Sequence, residues 1–409
     1  MSTAAATGIH WPTTSILFVA AALNYGDRTA ISAVFPLLRK DLGMSDLALA
    51  SVGTFFLWSY AAGSPFAGRI ADRMSRSRAV VLSLSAWSAV MLLSAFAAST
   101  EQLLATRVLL GLAECLYLPA AIALIADRHA PQSRATAMGI HMAGLNFGLI
   151  GGGLLAGWMG DRFGWRPSFV ILGAAGLALA ALASRVLKDA GSAQAREPAP
   201  PTVEALRTLF GMPSYVVLML EAMIVSVGTW MFFNWLPLYF KETFDMSLAG
   251  AGFSGTFMLQ TAAVAGVLLG GMLSDRVARG GLRRRMLSQA TFYIACAPFL
   301  LPFYGSPAYG VISGSIFTFA LLRALGQSNE NATLCDLLPG GLRSTAIALM
   351  NTANCFAGGI GSLVAGLLKA DYGLGGVFAG VSVIMVVAAG LLAIGYFFYL
   401  DRDLKRVAA

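Results

Sequence analysis

Charged residues are scarce in this chain of 409 residues, because Asp, Glu, Lys and Arg together make up only 12% of it. In a soluble globular protein about a quarter of the residues are charged, so the chain has too few charges to cover a water-facing surface. The hydrophobic fraction is 57% and the mean hydropathy is +0.72. Apolar runs of about 20 residues, the length at which a helix spans a bilayer, recur along the sequence. These values exclude an ordinary soluble domain and predict a helical membrane protein.

Residues that carry catalytic chemistry are also few. The chain holds four cysteines and three histidines, and the cysteines show no metal-ligand spacing, so we expect neither a metal site nor disulfides. No glycine-rich phosphate loop and no nucleophile motif is present. We therefore expect no enzyme, no ATP-driven pump and no cofactor. The net charge of +8 is explained below by membrane orientation, without nucleic acid as a partner.

Twelve apolar spans are predicted, in two sets of six. They cover roughly residues 13–38, 46–70, 79–99, 102–126, 135–160, 167–187, 213–240, 248–274, 286–304, 308–332, 344–368 and 376–400. A proline-rich segment separates the two sets and cannot itself be a span. We expect a first bundle at 1–187, a cytoplasmic linker at 188–212 and a second bundle at 213–409. Thr202 to Phe210 are predicted to form a short amphipathic helix within the linker.

Lysine and arginine set the orientation of these spans. Of the 28 basic residues, nineteen fall in the tail and in connections on one side, six fall on the opposite side and three lie inside spans. Because basic connections stay in the cytoplasm, we expect both termini there. The expected location is the inner (plasma) membrane, with the protein a monomer surrounded by lipid.

The two halves repeat each other in sequence. Gly-Arg-Ile-Ala-Asp-Arg, which ends at Arg73, recurs as Gly-Met-Leu-Ser-Asp-Arg, which ends at Arg276. Asp127 recurs as Asp336, and Phe-Gly at 163–164 recurs as Tyr-Gly at 372–373, both at a spacing of 209. Agreement over separate segments indicates duplication. It predicts an all-α fold of two pseudo-symmetric six-helix bundles, an architecture known among transporters.

The repeated loop motif resembles that of the major facilitator superfamily, which lies between helices 2 and 3 and again between helices 8 and 9. The resemblance implies a gating role on the cytoplasmic side for its acidic and basic residues, which are Asp72, Arg73, Asp275 and Arg276. Small residues in the motif let two helices approach closely, and its aspartate can receive an arginine or a helix N-terminus.

A narrower resemblance rests on helices 1, 4 and 7. Helix 1 carries Asn-Tyr-Gly-Asp-Arg at 24–28, helix 4 carries Arg107 and Glu114, and helix 7 carries Asn-Trp-Leu-Pro-Leu-Tyr at 234–239. This is similar to the anion:cation symporter family, which includes sugar-acid transporters, sialin and vesicular glutamate transporters. Spinster-like lipid carriers share the Asp-Arg pair and the helix 4 charges, so a carrier of lysolipid or another amphiphile is the alternative.

The resemblance implies that the charged residues of helices 1 and 4 link proton movement to anion binding. Asp27 and Glu114 are then the proton-coupling residues of a symporter for a small organic anion. The expected substrate-binding residues are Arg28, Arg107, Tyr25, Tyr60, Asn234 and Asn354.

The intramembrane charges support this interpretation physically. Each charged side chain at a span centre costs about 2.5–3.5 kcal/mol, so the two acids and two arginines of the first half need partners or water. Protonation of Asp27 or Glu114 leaves one arginine uncompensated, and that arginine then attracts an anion. The alternative is a static ion-pair network that only holds helices 1 and 4 together.

Overall fold

The computed structural model describes residues 10–187, 202–278, 282–305 and 308–408. Throughout these ranges the regular structure is helical. The helices before the linker are α1 Trp11–Ala33, α2 Phe35–Leu42, α3 Asp46–Arg73, α4 Arg76–Ala95, α5 Thr100–Glu114, α6 Tyr117–Arg128, α7 Pro131–Phe163 and α8 Arg166–Val186. Those after it are α9 Thr202–Phe210, α10 Pro213–Phe244, α11 Leu248–Ala278, α12 Leu282–Cys296, α13 Tyr309–Gln327, α14 Glu330–Leu337, α15 Gly340–Ile394 and α16 Leu400–Ala408. A 3₁₀ segment, Ala297–Tyr304, extends α12, and a π-helical segment, Gly395–Tyr399, joins α15 to α16.

The described ranges contain ten helices that are long and apolar enough to cross a membrane. The last of these, Gly341–Leu404, has 64 residues and is interrupted at Gly373, so it provides two spans. Helix α1, with 23 residues, has the length of a span but is less apolar than these ten. Counted with them, it brings the number to the twelve that the sequence predicts.

The described residues form two compact units. The first contains 10–187 and Phe233–Thr256, and the second contains 202–232, 257–278, 282–305 and 308–408. The boundaries at 187 and 213 stay a prediction. The amphipathic helix expected at 202–210 is confirmed as α9, whereas residues 188–201 of the linker lie outside the described residues.

The sequence repeat is also a repeat of backbone conformation. Gly164 ends α7 with φ 82° and ψ 177°, and Gly373 interrupts α15 with φ 64° and ψ 166°. These positive φ values are open to glycine and strained for other residues, so both copies of the repeat keep glycine at the same turn. Serine caps are repeated as well, since the hydroxyls of Ser45 and Ser247 accept backbone N–H groups at the starts of α3 and α11.

One ion pair recurs in each unit at the repeat spacing of 209. Arg76 at the start of α4 pairs with Asp127 near the end of α6. Its equivalent, Arg285 in α12, pairs with Asp336 in α14 at 2.6 Å. The duplicated segments therefore keep an equivalent side-chain contact as well as a similar sequence.

The fourth and tenth predicted spans each contain a short interruption of the regular α-helix. The fourth is interrupted at 115–116, directly after Glu114, and the tenth at 328–329, directly before Glu330. The backbone angles of all four residues stay right-handed helical, so each span continues through its interruption. Each of these acids lies next to such an interruption, which apolar periodicity alone does not predict.

Helices α1 and α7 are in close contact along a seam of small residues. A Cβ atom added to Gly148 would overlap the backbone of Ala22, and one added to Gly152 would overlap the backbone of Gly26. Small residues allow this approach because they leave nothing between the two backbones. The seam fixes α1, which carries the charged residues considered below.

We predict that Gly148→Ala destabilises the protein by about 1–3 kcal/mol, the usual cost of overpacking a well-packed contact. The measurement is the thermal unfolding midpoint of the protein purified in detergent. Gly151→Ala is the matched control, because a Cβ at Gly151 of the same helix would meet no atom of the described residues within 4 Å. The control should be neutral or stabilising, since alanine favours helix over glycine. Equal midpoints for both variants would contradict a close seam.

Candidate functional site

An ion pair between α1 and α5 forms the centre of the candidate site. Arg28 of α1 donates from Nε and Nη2 to Oε2 of Glu114, at 3.2 and 2.7 Å. The side chain of Arg28 is 9% exposed and that of Glu114 is fully buried. Removing one partner of such a pair leaves an uncompensated buried charge and costs about 3–5 kcal/mol. If Glu114 becomes neutral, Arg28 therefore needs another counter-ion.

Three aromatic rings surround the Arg28 guanidinium. Its central carbon lies 4.3 Å from the ring centroid of Tyr25, 4.9 Å from that of Phe56 and 5.5 Å from that of Tyr60. A cation over an aromatic face within about 6 Å is attracted by the ring. Asn24, one turn before Arg28, accepts a further hydrogen bond at 3.3 Å. The rings and the amide hold the guanidinium in one orientation.

Asp27 lies beside the ion pair and is 1% exposed. Within the described part of the chain, neither of its carboxyl oxygens receives a hydrogen bond from a donor group, and the same is true of Oε1 of Glu114. Asp27 and Glu114 are neighbouring carboxyl groups that repel each other when both are ionised. One proton shared between the two groups would remove that repulsion.

Arg107 is buried in a different direction from Arg28. Its Nη2 donates to Oγ of Ser94 at 3.0 Å and to Sδ of Met91 at 3.7 Å, both on α4. Its central carbon lies 5.7 Å from the ring of Phe169 on α8. Nε of the same guanidinium has no hydrogen-bond partner among the described residues.

The other predicted residues are distributed over both units. Asn234, 5% exposed, belongs to the first unit, and Asn354 belongs to the second, where its backbone oxygen accepts the hydroxyl of Ser226 at 2.7 Å. The predicted gating residues end α3 at Asp72 and Arg73 and lie near the end of α11 at Asp275 and Arg276. Their roles stay predictions. Across the described residues, no three His, Cys, Asp or Glu side chains group closely enough to hold a metal ion.

Sequence reasoning missed Phe56 and Asn24 as neighbours of Arg28, and Ser94 and Met91 as neighbours of Arg107. Two of these had a local signal, because Phe56 precedes Tyr60 and Asn24 precedes Arg28 by four residues, a spacing that places side chains on one helix face. Ser94 and Met91 had none, because their contact depends on how α4 packs against α5.

A sequence model of the Major Facilitator Superfamily matches residues 17–362. The chain belongs to this superfamily. Its multi-pass fold of twelve spans is that of a membrane transporter and not of an enzyme, which confirms the fold class and the family expected from the sequence.

Relatives with assigned names are transporters too. An MFS-type efflux pump of Mycolicibacterium smegmatis is 28% identical over 93% of this chain and 89% of its own length. A probable galactarate/D-glucarate transporter of Bacillus subtilis is 26% identical over 83% of this chain and 82% of its own. A crystal structure of a bacterial homologue of the human lysosomal transporter Spinster, inward-facing and unoccupied, has a TM-score of 0.77 and 20% identity, with 99% of this chain and 98% of that one covered. This last likeness shows the fold.

We predict that Ser94→Ala lowers stability by about 1.5–3 kcal/mol, because hydrogen bonds to charged groups have this strength and Arg107 is buried. The thermal unfolding midpoint measures the loss. Ser88→Ala is the control on the same helix: its hydroxyl is equally buried and has no hydrogen-bond partner among the described residues. That control should leave the midpoint unchanged or raise it. A Ser94→Ala midpoint equal to that of Ser88→Ala would show that Arg107 does not depend on Ser94.

Proposed function

We propose that the protein is a proton-coupled symporter of a small organic anion, such as a sugar acid or another carboxylate, and that it works by alternating access. It acts as a monomer in the inner membrane with both termini in the cytoplasm. The observation that carries the proposal is the ion pair of Arg28 and Glu114, buried beside the second carboxyl group of Asp27. This arrangement makes the availability of Arg28 depend on a proton.

The coupling follows from charge balance. While Glu114 is charged, its Oε2 neutralises Arg28. A second proton, taken up from solution by the Asp27–Glu114 pair, leaves both carboxyl groups neutral and the guanidinium buried without a counter-ion, a state that costs about 3–5 kcal/mol. A substrate carboxylate restores the pair and recovers that free energy. Proton and anion therefore bind together, and the loaded carrier has the same net charge as the empty one.

Recognition of a carboxylate suits the surroundings of Arg28. A planar guanidinium holds a carboxylate with two parallel hydrogen bonds, and the rings of Tyr25, Phe56 and Tyr60 keep its plane fixed. The hydroxyl groups of the two tyrosines can donate to further oxygen atoms of a sugar acid. Arg107, which donates a hydrogen bond to Ser94, contributes positive potential to the same unit. The similarity to a probable galactarate/D-glucarate transporter supports this substrate class.

Binding of a carboxylate library to the purified protein tests the substrate class. A ligand that binds only the folded protein raises its thermal stability, by about 2.7 kcal/mol at a hundred times the dissociation constant. Hexonates, aldarates, short hydroxy acids and lysophosphatidylcholine are compared at equal concentrations. We expect the largest shift with a polar carboxylate. A shift given only by the lysolipid would replace this proposal with the Spinster-like amphiphile carrier.

We predict that Glu114→Gln abolishes accumulation driven by a pH gradient while counterflow exchange of the same carboxylate continues. Glutamine keeps a hydrogen-bond acceptor for Arg28 but cannot take up a proton. Both activities are measured in proteoliposomes. Glu101→Gln, an exposed position on the same helix, is the matched control and should behave as the unmodified protein. Full gradient-driven accumulation by Glu114→Gln would assign proton coupling elsewhere.

We predict that Arg28→Lys lowers substrate affinity by about 1.5–3 kcal/mol, or roughly tenfold to a hundredfold, because lysine keeps the charge but lacks the two-pronged hydrogen bond. Calorimetric titration with the carboxylate that gives the largest thermal shift measures the change. Arg162→Lys, made at an arginine that stacks on Trp158 in α7, should leave affinity intact. If Arg28 only neutralises the neighbouring acids, the lysine variant will bind as tightly as the original.

A further inference from the structure

The second unit contains a buried polar cluster that the proposed mechanism does not use. Glu221 of α10 lies about 12 Å along the helix from its start, and Gln289 and Tyr293 of α12 lie beside it. All three side chains are 0% exposed. The amide nitrogen Nε2 of Gln289 lies 3.4 Å from Oε2 of Glu221 and 3.3 Å from the hydroxyl of Tyr293. An ionised carboxyl group buried this deeply is unfavourable unless it is paired or protonated.

The charges around Glu221 do not balance if every acid is ionised. Glu330, at the start of α14, is a second carboxyl group, which repels Glu221 when both are ionised. Arg323 of α13 attracts Glu330, and it donates hydrogen bonds to Gln327 at 2.9 Å and to Thr229 at 3.4 Å. Two carboxylates against one guanidinium leave one negative charge in excess. A buried charge without a counter-ion is strongly unfavourable, so one proton restores neutrality.

The Gln289 amide can accommodate that proton on Glu221. Among the residues that the structure describes, neither Oε1 of Glu221 nor Oε1 of Gln289 has a hydrogen-bond partner. The two ends of a glutamine amide are interchangeable by rotation. With its nitrogen toward the cluster, Gln289 donates to a charged Glu221. With its oxygen there instead, it accepts the carboxyl proton of Glu221 and the hydroxyl proton of Tyr293. The amide can thus satisfy both protonation states.

We propose that Glu221 is a second proton-binding site of the carrier, at which the Gln289 amide stabilises both the loaded and the empty state. The site is separate from the Asp27–Glu114 pair of the first unit and adds one proton to the number that the protein can bind. Its use in transport rests on the proton coupling proposed above, whereas binding of the proton does not. The ligand is a proton, because the carboxyl group contacts an uncharged amide, which is itself hydrogen-bonded to a phenol.

Infrared difference spectroscopy of the purified full-length protein tests this proposal without any substrate. Protonated carboxyl groups give a carbonyl stretching band that disappears on ionisation. Spectra are recorded over a pH titration for the unmodified protein, Glu221→Gln and Glu114→Gln. We expect Glu221→Gln to lose one titrating carboxyl band and Glu114→Gln to lose a different one. Identical titrating bands in Glu221→Gln and the unmodified protein would overturn the proposal.

A second variant provides the test if the Glu221→Gln protein does not fold. Gln289→Leu keeps the carboxyl group but removes the amide that serves both of its states. We expect the Glu221 band to shift in frequency and its titration to move in pH, while the band lost in Glu114→Gln stays in place. A spectrum and titration unchanged by Gln289→Leu would also overturn the proposal. Failure of gradient-driven accumulation, by contrast, would count against the proposed symport and leave these bands as they are.

Discussion

The buried ion pair of Arg28 and Glu114 is the constraint on which the rest of the account depends. It places opposite charges on two helices inside a bilayer, where either one alone is strongly unfavourable. The pair is tolerated because the two groups meet at 2.7 Å, with Arg28 enclosed by aromatic rings. A static brace, that is, an ion pair that only holds the two helices together, would need only this contact. The adjacent Asp27, whose buried oxygens lack donors within the described ranges, takes no part in such a brace and motivates the proposed proton coupling.

The packing of α1 gives this pair its fixed position. Along the seam with α7, the glycines leave room for backbone against backbone, and Gly26 of the seam is the immediate neighbour of Asp27. A charged group on a loosely held helix could turn toward water, whereas one on a closely packed helix keeps its partners. The same reasoning applies in the second unit, where Glu221 is enclosed by side chains of α12. Each unit therefore keeps an ionisable carboxyl group inside a rigid frame.

Much of the fold could be predicted from the sequence because the relevant signals are local. Apolar length defines the spans, basic residues suggest their orientation, and glycines such as Gly164 and Gly373 mark turns with positive φ. The site was predictable only in part. Arg107 and Glu114, seven residues apart, share a helix face, yet the long arginine side chain turns to Ser94 while Glu114 meets Arg28. Side-chain direction and pairing between distant helices, as at Glu221 and Gln289, depend on tertiary packing, which residue spacing does not encode.

Coupling between proton and anion is the central claim, and a pH electrode tests it most directly. A carboxylate that stabilises the protein is added to weakly buffered proteoliposomes without an imposed gradient, and external pH is recorded together with uptake of the labelled compound. The account predicts that the external medium becomes more alkaline in fixed proportion to uptake, and that a protonophore abolishes the change. Uptake of the labelled carboxylate without any change in external pH would contradict it.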